Sequence, residues 1–200
     1  MSTSRLEAFS DGVLAIAITL LVLEIHVPTD QGADLWHALG RQWPSYVGFV
    51  VSFVTIGIIW VNHHTLYHEL ARVDRTVLFL NLFLLMSVAF IPFTTALMAD
   101  YLNASQGQDV ATAVYAGSFL LVAWGFTAVN VYLYTHGDLA RTPLNKAERR
   151  SRLVRNASGQ FGYLAAIGLA FVNAYVSIAV CGLVAAAYIP GRWTWRRAPS

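Results

Sequence analysis

The sequence predicts an all-α, integral membrane protein with six transmembrane helices and both termini cytoplasmic. Three observations carry this. Of 200 residues, 56% are hydrophobic and 12% charged, against about 25% charged in a soluble domain. Mean hydropathy is +0.54, and the apolar runs are long and apolar on every side rather than amphipathic. The basic residues are also segregated. If apolar runs cross a membrane in turn, twelve of the thirteen Lys and Arg fall in one set of alternate loops and only Arg41 in the other. Cytoplasmic loops hold such an excess.

The runs justify the six helices in order. The first helix, about 7–26, ends where Pro28, Asp30 and Gly32 interrupt the pattern. The second, about 43–63, has Pro44 in a position suited to a first helical turn. A polar, His-rich segment from Asn62 to Arg75 follows. The third helix is about 76–99, with Pro92 inside it as a kink that membranes tolerate when neighbours satisfy the freed backbone. The fourth is about 109–135, and a basic linker, Arg141 to Arg155, follows it.

Residues 157–189 then run 33 positions without a charge. One helix of that length would be about 50 Å long, against a bilayer core of about 30 Å. Basic clusters flank both ends: Arg149, Arg150, Arg152 and Arg155 before, Arg192, Arg196 and Arg197 after. Both ends therefore belong on the same side, which requires a hairpin turning near Asn173. It gives helices of about 152–172 and 174–190, the first gaining length by starting in the basic linker. Trp36, Trp43, Trp60, Tyr101, Trp193 and Trp195 lie near run ends, as in interfacial aromatic belts. The chain reads as one membrane domain, 1–200, in the cell membrane. The lone Cys181 excludes an intrachain disulfide.

Function concentrates in the first helix, which opens Arg5-Leu6-Glu7-Ala8-Phe9-Ser10-Asp11-Gly12. A carboxylate inside a membrane segment is costly, so Asp11 needs a partner or water. Asn62, His63 and His64 lie at a similar depth and are the candidate donors. Ile16, Leu20 and Leu23 follow i, i+4, i+7 spacing and form one stripe. Continued downward, it reaches Gly12 and Phe9. At 100° per residue, Asp11 is about 140° from Ile16, so the two face different surroundings. From the residues alone, the stripe fits helix packing or lipid contact.

The Arg-x-x-x-Phe-Ser-Asp pattern, filled by Arg5, Phe9, Ser10 and Asp11, resembles the signature of the endosomal/lysosomal potassium channel family, in its prokaryotic single-unit branch. The Gly-Val-Leu-Ala-Ile-Ala-Ile-Thr-Leu run after it and the segment from Trp60 to His64 are similar too. The resemblance implies a homotetrameric, potassium-selective or potassium-preferring cation channel, since animal members carry two such units per chain and this chain has one. It implies that Ile16 forms a hydrophobic constriction, with Leu20 and Leu23 continuing the apolar lining, while Arg5, Phe9, Ser10 and Asp11 assemble helices. Thr19, one turn from Ile16, offers a hydroxyl that can replace part of an ion's hydration shell. Potassium is the permeant ion so implied, and membrane lipids and further copies of the chain are the partners.

Other readings stay open at this point. The motif residues serve as interhelical glue or take a direct part in ion passage. Glu24 is either an acidic ring at the outer mouth or a surface charge at a helix end. A proton-coupled transporter using Asp11 with His63 or His64 is the alternative function. His64 and His68 have zinc-ligand spacing but no evident third and fourth ligands, so no metal is expected. The basic linker sets topology or binds anionic lipid headgroups. No nucleophile–base–acid set, phosphate loop or dinucleotide fingerprint is present, so no enzymatic activity and no cofactor are expected. With a net charge of +2, neither is a nucleic-acid partner.

Overall fold

The computed structural model describes residues 3–28, 34–139, 141 and 146–188, and no β-strand occurs among them. Eight α-helices are described: α1 Thr3–Leu20, α2 Leu35–Arg41, α3 Trp43–His68, α4 Arg75–Ala89, α5 Ile91–Tyr101, α6 Gln108–Thr135, α7 Lys146–Ala170 and α8 Ala174–Tyr188. A 3-10 turn, Leu21–Glu24, extends α1. Four stretches are long and apolar enough to cross a membrane: Thr3–Glu24, Trp43–His68, Arg75–Tyr101 and Gln108–Thr135. The chain is a multi-pass membrane protein. The C-terminal cluster Arg192, Arg196 and Arg197, with Trp193 and Trp195, lies outside the described residues, as does the loop holding Asp30 and Gly32.

Several helix ends extend beyond the apolar runs, while the first helix stops short, with α1 and its 3-10 turn ending at Glu24 rather than 26. The first helix begins at Thr3 rather than 7, the second continues to His68 rather than 63, and the fifth predicted helix begins at Lys146 rather than 152. Hydropathy marks where lipid ends. The hydrogen-bonded helix continues past that plane where its residues are good helix formers. The third predicted helix is divided. It breaks at Phe90, which caps α4 and starts α5, with Pro92 in the first turn of α5, where a missing N–H costs no helical bond. α2, absent from the sequence reading, is nucleated by Asp34, whose Oδ1 accepts from the Trp36 amide at 3.2 Å. The chain turns between α7 and α8 at Asn173, whose side-chain oxygen caps α8 by accepting from Tyr175 N and Val176 N at 3.0 and 3.2 Å.

α6 is the hub, packing against α4, α5, α7 and α8, while α3 packs against α1, α5 and α8. Small residues permit the closest approaches. A Cβ added at Gly125 of α6 would meet the Leu84 Cα of α4 at 3.3 Å. Gly162 of α7 lies directly under the Val184 side chain of α8. The middle of the bundle holds Leu14, Ile56, Leu84, Phe119 and Cys181. There Ser52 of α3 bonds to Thr95 at 2.8 Å and to Tyr115 at 3.0 Å, so buried hydroxyls satisfy one another.

A second cluster, Leu6, Leu66, Tyr67, Leu70, Val77, Val129 and Leu133, closes the end where α1, α4 and α7 begin. The chain there is laced together. Ala71 N donates to Leu139 O at 2.8 Å and Arg141 N to Glu69 O at 2.8 Å. The Arg141 guanidinium donates to Leu70 O at 2.9 Å, and Arg72 pairs with Asp138. Arg5, Arg72, Arg75 and Arg141 lie at this end of the bundle and Arg41 at the other.

Candidate functional site

α1 has two faces. Leu6, Ser10, Leu14 and Ala17, with Leu21 beyond, are buried against the bundle. The opposite side is bare in the single chain: Phe9 is 50%, Ile16 61%, Leu20 40% and Leu23 69% exposed. Arg5, Gly12, Ala15 and Thr19 are exposed with them. On a wheel of 100° per residue, Ile16 sits near the centre of this bare face, and its neighbour Ala17 is 2% exposed. The predicted stripe is therefore a single uncovered surface of one helix.

Thr19 donates its hydroxyl proton to Ile16 O at 2.9 Å. That bond leaves only the oxygen lone pairs pointing outward, which is the state a cation requires. Glu24 is half-buried at the end of the 3-10 turn.

The buried face carries a directed polar chain. Ser10 Oγ donates to Leu6 O at 2.9 Å and accepts from Asn81 Nδ2 at 3.0 Å. Asn81 Oδ1 therefore faces His63, and as a carbonyl oxygen it accepts from Nε2–H at 2.9 Å. Both neutral and protonated imidazole can supply that proton. His63 stacks on Tyr67 with ring centroids 4.1 Å apart. The buried Nδ1 of His63 and hydroxyl of Tyr67 have no hydrogen-bond partner among the described residues. Three helices, α1, α3 and α4, are joined through these groups.

Asp11 is held separately. It is half-buried, and its Oδ1 accepts from the Trp60 indole N–H at 2.9 Å. This corrects the expectation that Asn62, His63 or His64 would donate to it. Asp11 and Ser10 are 100° apart on α1, so Ser10 faces α4 and Asp11 meets the α3 residue one turn before His63. Asn62 is half-buried and His64 exposed, and neither joins the network. The His64 and His68 rings are 6.1 Å apart, and no group of three metal-ligating side chains occurs among the described residues. Arg5 is exposed and makes no ion pair among the described residues. The sequence reading missed Asn81, whose signal was one amide inside an otherwise apolar run. It named Trp60 only as a belt residue and as part of the resemblance.

Residues 5–92, which contain the bare face and the whole polar network, match the family model described as endosomal/lysosomal potassium channel TMEM175. The chain is 48% identical over 187 residues to a potassium channel of Streptomyces collinus, covering 93% of this chain and 91% of that one. The chain belongs to the TMEM175 family. It is 44% identical over 190 residues to a potassium channel of Chamaesiphon minutus, covering 92% and 91%. Its fold matches the crystal structure of a lysosomal potassium-selective channel TMEM175 homolog from Chamaesiphon minutus, with a TM-score of 0.84 and 41% identity over 93% of this chain and 95% of that one. Each of these relatives is matched over nearly its full length, so the likeness to this family is not confined to the first helix.

Proposed function

We propose that four copies of this chain form a potassium-selective channel in the cell membrane, with the bare face of α1 lining the path. The observation that carries this is the exposure of Phe9, Gly12, Ile16, Thr19, Leu20 and Leu23 along one side of a helix whose other side is fully packed. The potassium-channel relatives give the ion and the class of activity; this is transport, not enzymatic catalysis. Six spans with both ends cytoplasmic fit the segregation of Arg5, Arg72, Arg75 and Arg141 from Arg41. In this arrangement α7 and α8 are the last two crossings.

The mechanism follows from the side chains. Four Ile16 groups meeting at the axis make a narrow apolar neck, which holds water and ions poorly and closes by dewetting. A small outward rotation of α1 rehydrates it. Thr19 oxygens, with their protons committed to Ile16 O, replace hydration oxygens around a partly dehydrated cation. Glu24 raises the cation concentration at the outer mouth. The Ser10–Asn81–His63 chain and the Asp11–Trp60 bond hold the rear of α1 in register. A displacement of about 1 Å at the neck would change the barrier to ions.

The test is the reversal potential of purified protein in a planar bilayer between potassium and sodium solutions. A reversal potential displaced far from zero, in the sense that means potassium passes more readily than sodium, is expected. A current that reverses at zero under this gradient, or one coupled to a proton gradient, contradicts the proposal.

A further inference from the structure

The end of the bundle away from the basic linker carries a shallow, open cleft lined by Trp36, His37, Gly40, Arg41, Trp43 and Asn103. We infer that this cleft binds the phosphate of an anionic phospholipid, with the Arg41 guanidinium as its cation. The site lies at the opposite end of the bundle from the basic linker, and none of its lining residues belongs to α1.

Charge in the cleft is unbalanced. Asp34, the carboxylate on α2's own N-terminus, is already used: Oδ1 accepts from Trp36 N at 3.2 Å and Oδ2 meets His37 Nδ1 at 2.8 Å. Arg41 has no ion pair or hydrogen bond among the described residues, and no other Lys or Arg lies between residues 6 and 71. A planar guanidinium binds phosphate oxygens in pairs. Asn103 adds a donor. Its Oδ1 accepts from the Tyr175 hydroxyl at 3.3 Å, which leaves the amide N–H groups free to face the cleft. Trp43 stacks on Tyr175 with centroids 6.0 Å apart, so one wall is fixed in place.

The phosphate belongs to a lipid because of what surrounds it. α2 buries Ala38 against the bundle and turns Leu35 and Trp36 outward, with Trp36 82% exposed. An exposed Leu-Trp pair beside a cation, on a short helix between two spans, fits the headgroup level of a bilayer. The rings would lie along the glycerol and upper acyl chain while Arg41 holds the headgroup.

The full chain in phosphatidylcholine nanodiscs containing either brominated phosphatidylglycerol or brominated phosphatidylcholine provides the test. The quenching assigned to Trp36 is the difference between the unsubstituted protein and Trp36→Phe. A preference for phosphatidylglycerol of roughly fivefold is expected, falling to about one in Arg41→Gln. Arg41 is exposed, so that variant keeps its elution volume. Equal quenching by the two lipids overturns the proposal, as does a preference that survives Arg41→Gln. Loss of the preference when inorganic phosphate is added at constant ionic strength would assign the cleft to free phosphate and overturn the lipid.

Discussion

Asn81 joins three helices through one amide, donating to Ser10 of α1 and accepting from His63 of α3. Asn81→Ala leaves the His63 Nε2–H without an acceptor and Ser10 without its donor, in a site where all three residues are buried. Orphaned buried polar groups cost about 1–3 kcal/mol. The assembled protein should lose several degrees of melting temperature in detergent, read by fluorescence-detected size exclusion after heating. His64→Ala, one residue from the network and exposed, should leave the melting temperature unchanged. Sequence alone singled out Ser10 through the motif and His63 as a candidate donor to Asp11, but it could not supply the register that pairs Ser10 and His63 through Asn81. That register depends on how α4 packs against both α1 and α6, where it comes close at Gly125 against Leu84. For the same reason Asp11 was matched by depth to Asn62, His63 and His64, while its actual partner Trp60 sits one turn away on the face that reaches it.

At the scale of elements, the end carrying Arg72 and Arg141 is tied by groups at and beyond the ends of the spans. Asp74 caps α4 by accepting from Val77 N at 2.8 Å and also accepts from the Tyr132 hydroxyl at 2.6 Å. The Tyr132 bond, then the backbone bond, holds its carboxyl below the usual range; Arg72 does the same for Asp138. A depressed carboxylate contributes stability that is present above its unfolded pKa of about 4 and is lost as pH falls through the lower folded value. Hydrogen exchange at Ala71 N and Arg141 N should therefore be flat from neutral pH to about 5, once corrected for intrinsic rates, and rise below about 4. Asp74→Ala should remove about 1 kcal/mol of cap stability at neutral pH. A rise beginning near pH 7 would mean that a histidine controls this end.

Elements were legible where lipid dictates composition: each apolar run is helical, the third divided at Phe90, and Asn173 sits where α7 and α8 part. α2 was not, since seven residues are too few for a period and its only signal was a capping Asp34. The extensions of α1 and α3 were not legible either, because polar residues continue a helix in water without any hydropathic mark; that of α7 into the basic linker was legible from the length a crossing needs, though its start at Lys146 was not.

For the whole molecule, the central claim is that the uncovered side of α1 meets its copies around an ion path. Sequence gave the stripe but not its exposure, which depends on every other helix packing against the opposite side. Fold likeness to a potassium-selective channel homolog supports the class of activity, and the neck makes the claim specific. Ile16→Asn places a polar group at the centre of the bare face and cannot disturb the core, whereas Ala17 is buried and unsuitable as a control. Phe161 of α7, 71% exposed, serves instead. Single-channel recording of Ile16→Asn and Phe161→Asn in potassium and sodium solutions tests the claim most directly. Ile16→Asn should raise conductance and lower potassium preference, because hydrated ions then pass without dewetting, while Phe161→Asn should change neither. Unchanged current and selectivity in Ile16→Asn, in a protein that still conducts, would contradict a path lined by α1.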